Sequence, residues 1–380
     1  MTTVLVNAGP WLPVPPGGYG GIENVVATLV PELRRLGVRV VLATVGTSEL
    51  EVDELLCPLA GPRFESVAAP YNQVSGIAHA HMHEVAAELR RRTDVDVVHD
   101  HLEVVGPAVL AAMGRSAPPA LQTLHWDLRK HADFYERFDG GGRVRFAAVS
   151  RSQLERAPEN LRAQAMGVVP LAVPTPAGAA GGSGGAPGEH ALVLARITAD
   201  KGQDVAVRVA RAAGVPLVLA GPVAGIGEPG ELRERLAAGE ERLLAHPDVR
   251  YWCEEVAPHV DGEQVRWVGC VGGEEKERLL RSARALLTPI RWAEPGATAV
   301  VEALGRGVPV VGTPLGVLPT LVEHGVTGFL ADTEAGLAAC LRDVGRIRAE
   351  DCRAAAARWT PEAMARSYLD LYDALLEAAG

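Results

Sequence analysis

Short apolar runs rich in β-branched residues alternate with amphipathic helical patterns along all 380 residues. The predicted strands are residues 4–8, 38–44, 95–99, 120–124 and 146–149 in the first half, and 191–194, 217–220, 264–268, 285–290 and 308–312 in the second. Alternation of this kind favours parallel sheets with helices on both faces. We therefore predict an α/β chain with doubly wound sheets.

The length of the chain favours two domains, because a single hydrophobic core rarely grows to this size. A segment rich in Gly, Ala and Pro at residues 174–188 is typical of a flexible linker or loop. We predict one Rossmann-like domain over residues 1–173 and a second over residues 189–360. A last helix is predicted over residues 361–380, where apolar residues recur at helical spacing.

Composition narrows the choice of partners and compartment. The net charge is −10 and no block of lysines or arginines occurs, which argues against nucleic acid or an anionic membrane as the main partner. We see no run of membrane-helix length and no signal-peptide pattern. The five cysteines are scattered, without a disulfide framework or metal spacing. We expect a cytoplasmic protein; its oligomeric state is open, with a homodimer as one alternative.

Two glutamates flank a helix start that follows the predicted strand 285–290. Pro295 suits the first turn of a helix, because its missing N–H would be unpaired there. Eight helical residues would then separate Glu294 from Glu302 by roughly 12 Å along the axis. Free backbone N–H groups at the helix tip form an anion site. The residues predicted to supply them are Gly296, Ala297 and Thr298. This pattern indicates a phosphate at the helix tip, with ligand hydroxyls bound by a carboxylate on each side.

Two cations follow the predicted strand 191–194. Arg196 and Lys201, at this spacing, can neutralise a diphosphate and help it to leave without a divalent metal. Gly221 follows the next strand, 217–220, in a turn that resembles the Ala-Gly turn of a glycosyltransferase family, where the resemblance implies that the backbone approaches the nucleotide. A plain turn is the alternative at that position.

These segments resemble the retaining GT-B glycosyltransferases of family 4 (GT4). Residues 291–304 resemble the Glu-x7-Glu motif of that family, and residues 196–202 resemble its Arg-x4-Lys-Gly segment. The resemblance implies two Rossmann-like domains facing an interdomain cleft, with the last helix crossing back to the first domain. The first domain would bind the acceptor and the second the nucleotide sugar. Glu294 would contact the donor sugar and Glu302 the ribose.

The glycine-rich segment of residues 11–23 resembles a bacterial subset of the family that glycosylates small molecules, such as pterins and antibiotic precursors. The resemblance implies that Gly20 and Gly21 contact the donor. We assign Tyr19, beside them, to the acceptor.

Histidines and aspartates follow two strands of the first half. His125 comes directly after the strand 120–124, and the resemblance implies that it lies against the donor sugar; a purely structural histidine is the alternative. Asp100 and His101 follow the strand 95–99 and are predicted to line the acceptor pocket. Asp127 either lines the acceptor side or caps the helix that follows.

Two other groups have a metal-like composition. His79, His81 and His83 are spaced by two in a helical segment, which puts neighbours on different faces. The pair Asp94 and Asp96 has the Asp-x-Asp pattern of metal-dependent transferases, but it precedes its strand instead of following it. We therefore predict no metal and no other cofactor; the nucleotide sugar is a co-substrate.

Near the predicted sugar site the sequence departs from the common family pattern. Residues 295–297 are Pro-Gly-Ala where Pro-Phe-Gly is common, and residues 315–316 are Leu-Gly where Gly-Gly is frequent. The sugar is therefore open, with UDP-glucose and UDP-N-acetylglucosamine as candidates. The prediction is a retaining, metal-independent transfer of a hexosyl group to a hydroxyl of a small-molecule acceptor, in natural-product biosynthesis. A nucleotide-sugar 2-epimerase on the same fold and a non-catalytic nucleotide-sugar-binding protein are the alternatives.

Overall fold

The structure, a computed structural model, describes residues 1–18, 20–68, 71–174 and 188–379. Tyr19 and residues 175–187 of the predicted linker lie outside the described residues. The chain forms two compact units. Unit 1 comprises Met1–Val173 and Trp359–Gly380, and unit 2 comprises Pro174–Arg358.

Unit 1 is built on a parallel sheet in the order β3-β2-β1-β4-β5-β6-β7. Its strands are β1 (Thr3–Asn7), β2 (Arg39–Val45), β3 (Glu54–Leu59), β4 (Val97–Asp100), β5 (Ala120–Leu124), β6 (Val144–Ala148) and β7 (Ala165–Val168). Its helices are α1 (Gly21–Arg35), α2 (Tyr71–Arg91), α3 (Val105–Met113), α4 (Ala132–Arg137), α5 (Arg151–Glu155), α6 (Glu159–Gln164) and α16 (Pro361–Ala379). The central strands are buried on both faces, which explains their continuous apolar runs.

The last helix, α16, belongs to unit 1, where it packs on α1. Met364, Tyr368, Tyr372 and Leu375 recur at helical spacing and are all buried in the same cluster as the apolar face of α1. The hydroxyl groups of the two tyrosines are also hydrogen-bonded. They reach polar groups on β4 and β5, so this helix is docked by both apolar contact and hydrogen bonds.

Unit 2 is built on a second parallel sheet, in the order β10-β9-β8-β11-β12-β13. Its strands are β8 (His190–Leu194), β9 (Leu217–Ala220), β10 (Val265–Trp267), β11 (Ala283–Thr288), β12 (Val310–Gly312) and β13 (Gly328–Leu330). Its helices are α7 (Gln203–Ala213), α8 (Pro229–Ala237), α9 (Glu241–Leu244), α10 (Pro247–Tyr251), α11 (Gly273–Ser282), α12 (Thr298–Gly305), α13 (Leu318–Leu321), α14 (Glu334–Asp343) and α15 (Ala349–Ala356).

The predicted α/β class with two doubly wound parallel sheets is confirmed. Three strands were not predicted from the sequence: β3, β7 and β13. Each lies at the edge of its sheet, where one side is unpaired and the apolar pattern is weak. Within the described ranges, no helix combines the length and the apolar character needed to cross a membrane.

Candidate active site

The turns after β8 and β11 bring Lys201 and Glu294 together in unit 2. The Lys201 ammonium forms an ion pair with Glu294 Oε2, and the two side chains are only 19% and 12% exposed. The same ammonium lies 5.3 Å from the ring centre of Trp292. Parallel strands end at one edge of a sheet, which is why residues 93 positions apart meet here.

Two glycines permit this close approach of turns. Gly202 has φ +71°, and a Cβ there would overlap the carbonyl oxygen of Pro289. Gly316 has φ +60°, and a Cβ there would overlap the backbone N and O of Glu294. The next residue, Val317, donates its N–H to Glu294 O at 2.9 Å. The position of Glu294 is therefore set by a turn that follows β12.

Arg291 connects the turn that carries Glu294 to the turn that carries Lys201. Its backbone N–H donates to Asp200 O at 2.8 Å, and its guanidinium forms an ion pair with Asp204. Tyr251 donates its hydroxyl to Asp204 Oδ1 at 2.6 Å. Burial raises the pKa of Asp204, but the bonds from Tyr251 and Arg291 outweigh it and lower that pKa below its usual value. Sequence reasoning missed Asp204, because its partners are distant in the chain.

The predicted helix start at Pro295 is wrong. Helix α12 begins at Thr298, with Ala297 as its cap residue, and Pro295 lies in the preceding turn. The contact is tertiary: the carbonyl of Glu294, which would accept from the N–H of Thr298 if the helix began at Pro295, accepts from Val317 instead. The separation of roughly 12 Å along a helix axis therefore does not apply to the two glutamates.

The donors predicted at the helix tip remain open. Within residues 1–18, 20–68, 71–174 and 188–379, no hydrogen-bond acceptor pairs with the backbone N–H of Gly296, Ala297 or Thr298. They follow Glu294 and Pro295 in the chain and are half-buried. Three consecutive N–H groups next to a helix start can bind an anionic oxygen.

Glu302 lies on α12 and is paired with a lysine of α11. Lys276 Nζ lies 3.1 Å from Glu302 Oε2, an ion pair that lacks hydrogen-bond geometry, so this buried oxygen retains acceptor capacity. Arg306, itself held by Glu277, donates to the backbone carbonyl of Glu302 at 2.8 Å. Lys276 was not found from the sequence, where nothing distinguishes it from a solvated helix charge.

Arg196 and Gly221 lie in neighbouring strand-end turns of unit 2. The side chain of Arg196 is exposed, and its carbonyl accepts from Gln203 Nε2 at 2.7 Å. Gly221 has φ +146°, and a Cβ there would overlap the carbonyl oxygen of Ala195. Trp267 donates its indole N–H to Gly221 O at 2.9 Å. The glycine thus serves close backbone packing within unit 2.

Three imidazoles cluster at the carboxyl ends of β4 and β5 in unit 1. His101 Nδ1 lies 2.8 Å from His125 Nε2, and the rings of His99 and His101 have their centres 4.2 Å apart. His99 Nδ1 lies 2.6 Å from the hydroxyl of Tyr372. Burial lowers the pKa of His99 and of His125 to about 3, and that of His101 well below its usual value. All three rings are neutral at neutral pH.

Asp100 is fully buried among donors of unit 1. Its carboxylate accepts from Asn7 Nδ2 at 2.7 Å and from Gln122 Nε2 at 3.1 Å, and a Cβ at Gly106 would overlap it. Burial raises its pKa to about 7, although the hydrogen bond from Asn7 acts against the shift. Both oxygens are engaged inside the unit, so the structure gives this residue a role in shaping the loop, not a free oxygen for an acceptor.

Asp127 caps the short helical turn Leu128–His131. It accepts from the N–H of Arg129 at 3.1 Å and pairs with the guanidinium of that residue at 2.8 Å. Of the two sequence interpretations, the cap is the one seen.

Gly21 begins α1, and Gly20 is its cap residue, where a Cβ would lie 2.6 Å from Pro16 Cγ. Tyr19, predicted for the acceptor, is outside the described residues.

The metal-like groups separate in the structure. His79 and His83 are exposed, whereas His81 is buried and its Nε2 lies 2.7 Å from Asn7 Oδ1. Asp94 pairs with Arg39 and Arg92, and Asp96 accepts from the backbone N–H of Thr3. Across the described ranges, no three His, Cys, Asp or Glu side chains gather as metal ligands.

Two family models match the two halves of the chain. The model of glycosyl transferases group 1 matches residues 187–358, and the model of glycosyltransferase family 4 matches residues 19–175. The chain belongs to the GT-B glycosyltransferases. This glycosyltransferase is also similar, with 27% identity over 99% of its length and 98% of the other chain, to the crystal structure of AviGT4, a glycosyltransferase involved in avilamycin A biosynthesis, at a TM-score of 0.64.

Other relatives are more distant or partial. The amylovoran biosynthesis glycosyltransferase AmsK of Erwinia amylovora is 29% identical over 160 residues, which are 40% of this chain and 35% of that protein. The chain thus spans about a third of the length of this curated relative. Anabaena HepE, solved in complex with UDP and glucose, is 16% identical over 98% of this chain and all of that one, with a TM-score of 0.62, and shares the fold.

Proposed function

We propose that the protein transfers a hexosyl group from a nucleoside diphosphate sugar to a hydroxyl of a small-molecule acceptor, with retention and without a metal. The observation that carries the proposal is the arrangement in unit 2 of Lys201, Glu294 and the open N–H groups of residues 296–298. A cation and three amide donors suit a diphosphate, and a carboxylate suits sugar hydroxyls.

Each part then has a task in the transfer. Lys201 and Arg196 offer positive charge to the diphosphate as the bond between it and the anomeric carbon breaks. Glu294 and His125 accept or donate hydrogen bonds at the sugar, and Glu302 holds the ribose. The acceptor oxygen bonds to the anomeric carbon on the face that the diphosphate leaves. Its proton passes to a phosphate oxygen of the departing nucleotide, so no protein base is required.

The nucleotide and the acceptor class are argued from relatives. HepE is solved with UDP and with UDP-glucose, which favours a uridine donor; UDP-glucose and UDP-N-acetylglucosamine are the two we propose. AviGT4 takes part in avilamycin A biosynthesis, which favours a small-molecule acceptor from natural-product biosynthesis.

The test measures UDP release from a panel of UDP-hexoses, in EDTA, with and without a library of small-molecule acceptors. We expect acceptor-dependent release that persists in EDTA and falls by about 100-fold or more in Glu294→Ala. Glu255→Ala, which removes an exposed glutamate of the same unit, is the matched control and should release UDP at the wild-type rate.

Other outcomes would replace the proposal. Sugar epimers formed without any acceptor would identify a nucleotide-sugar 2-epimerase. Tight UDP-hexose binding with no release for any acceptor would favour a non-catalytic binding protein. Release that EDTA abolishes and Mg²⁺ restores would remove the metal-independent mechanism.

A further inference from the structure

The histidine cluster of unit 1 contains a fully buried nitrogen that has no hydrogen-bond partner among the described residues. His101 is 1% exposed, and its Nε2 is buried without a hydrogen bond to any described residue. Its other nitrogen, Nδ1, lies 2.8 Å from His125 Nε2. A carbon at either position would clash at that distance, so the orientation of both rings is set. One proton must lie between the two nitrogens.

The unpaired Nε2 of His101 indicates which of the two rings carries the proton that lies between them. Burial lowers the pKa of both rings, so each is neutral and carries a single N–H. If His101 carried its proton on Nε2, a buried N–H would have no acceptor, which is rare in folded proteins. With the proton on Nδ1, that N–H has His125 Nε2 as its acceptor, and only a lone pair stays unpaired.

From this geometry we infer that His101 is a positioning residue that holds His125 in the tautomer with its proton on Nδ1. His101 Nδ1–H donates to His125 Nε2, so Nε2 is an acceptor and the single proton of His125 lies on its other nitrogen. His125 is half-buried, and its Nδ1 has no partner among the described residues. The group that His125 presents to a ligand is therefore an N–H donor and not a base.

The residues that pack against His101 are held in place by hydrogen bonds. Its ring lies against His99, which is held at Nδ1 by Tyr372 and at Nε2 by Thr123 at 2.8 Å. Thr123 in turn contacts the hydroxyl of Tyr368 at 2.9 Å. Hydroxyl groups can donate or accept, so they can pair with His99 in either of its tautomers. The contacts of His99 therefore do not restrict the tautomers of His101 and His125.

What this tautomer of His125 means for the transfer reaction rests on the proposed function. An N–H of His125 can donate to a hydroxyl of the hexosyl group and hold it during transfer, but it cannot remove a proton from the acceptor. This agrees with a proton transfer to the departing phosphate. Positioning of an imidazole tautomer by a neighbour is also the way in which fixed geometry is obtained at other histidine sites.

The direct test reads the tautomer without turnover. Long-range ¹H–¹⁵N correlation spectra of the full-length protein with labelled histidine are recorded, and His125→Gln identifies the His125 signals. We expect a pyrrole-type nitrogen at Nδ1 and a pyridine-type nitrogen at Nε2. A protonated Nε2 on His125 would overturn the inference, whatever the enzyme catalyses.

A kinetic test follows the same logic. His101→Phe should lower kcat by about 10- to 100-fold while the KM for the donor changes little, because a transition-state contact loses its orientation. His101→Gln, which retains an N–H donor, should recover part of kcat. His81→Gln, at another buried histidine of unit 1, is the matched control.

Failure of the inference about His101 can be distinguished from failure of the proposed function. A His101→Phe enzyme with wild-type kcat, alongside an inactive His125→Phe enzyme, would show that His125 needs no positioning. Absence of transfer by the wild-type protein with every donor would remove the proposed function, whereas the nitrogen spectra would still decide the tautomer.

Discussion

At the scale of single residues, the candidate donor-binding residues are held in place by neighbours to which the proposed transfer assigns no role. Glu294 is held through its backbone by Gly316 and Val317, and Glu302 is held by Lys276 and Arg306. These candidates could be selected from the sequence because lysine and arginine suit a diphosphate and glutamate suits ligand hydroxyls. The supporting residues could not, because the contacts that define them join positions far apart in the chain.

Gly316→Ala should displace Glu294, since the added methyl group would overlap its backbone. Gly325→Ala is the matched control: its φ is +84°, a similarly left-handed backbone, but a Cβ there meets no atom within 4 Å. Both substitutions should cost about 1–2 kcal/mol of unfolding free energy from backbone strain. Only Gly316→Ala should also weaken UDP-hexose turnover, by about tenfold or more. Equal turnover in the two variants would exclude this role for Gly316.

His81 supplies a prediction about pH. Burial lowers its pKa to about 4, against about 6.5 in the unfolded chain. The unfolded state therefore binds more protons between these values, so the contribution of His81 to stability is complete above pH 6.5 and is lost as the pH falls toward 4.

Compared with wild type, His81→Gln should lose about 1–2 kcal/mol less stability between pH 7 and pH 5. Buried carboxyl groups with raised pKa values, such as Asp100 and Glu23, act in the opposite direction, so only the difference between the two proteins is informative. Denaturant titrations at both pH values measure it. Parallel pH profiles would show that His81 does not titrate as stated.

At the scale of elements, the sequence patterns predicted the central strands and the long helices, and failed where tertiary contacts decide. The strands β3, β7 and β13 are edge strands whose apolar pattern is incomplete. Helix α12 begins three residues later than predicted, because the carbonyl of Glu294 is taken by a distant N–H. Local preference favoured a proline start, and a long-range hydrogen bond overrode it.

The docking of α16 gives a prediction for two tyrosines. Tyr372→Phe should destabilise the protein by about 1–3 kcal/mol, because His99 Nδ1 would be left buried without its partner. Tyr368→Phe should cost less, about 1 kcal/mol, because Thr123 would still have His99 as a partner. Chemical unfolding of both variants measures the difference. Equal losses would mean that packing of the rings, and not the hydrogen bonds, holds the helix.

At the scale of the whole molecule, the candidate donor groups Arg196, Lys201, Glu294 and Glu302 all lie in unit 2, which is continuous in sequence. Unit 1 is discontinuous, because it requires Trp359–Gly380. The assignment to the GT-B glycosyltransferases was predictable from motifs that follow strands. Identity of sugar and acceptor was not, because it depends on loops without a recognisable pattern.

A fragment of residues 174–358 should fold and bind UDP without catalysing transfer. Free UDP at about 100 times its Kd should raise the unfolding free energy of the fragment by about 2.7 kcal/mol. The same fragment with Lys201→Met should show a much smaller rise. A folded fragment that ignores UDP would show that the groups of unit 2 do not suffice for nucleotide binding.

The return of the last helix to unit 1 has a consequence for biosynthesis on the ribosome. Helix α1 is translated more than 300 residues before α16, with which it shares a hydrophobic cluster. At about 10 residues per second, the wait between them is on the order of 30 s. Throughout that interval the hydrophobic cluster that contains Val26, Leu29 and Leu33 lacks the residues that α16 contributes to it, while unit 2 is synthesised and can form its own sheet. Unit 1 is thus begun before unit 2 and completed after it, and a nascent chain that is cut short before α16 should be retained by chaperones.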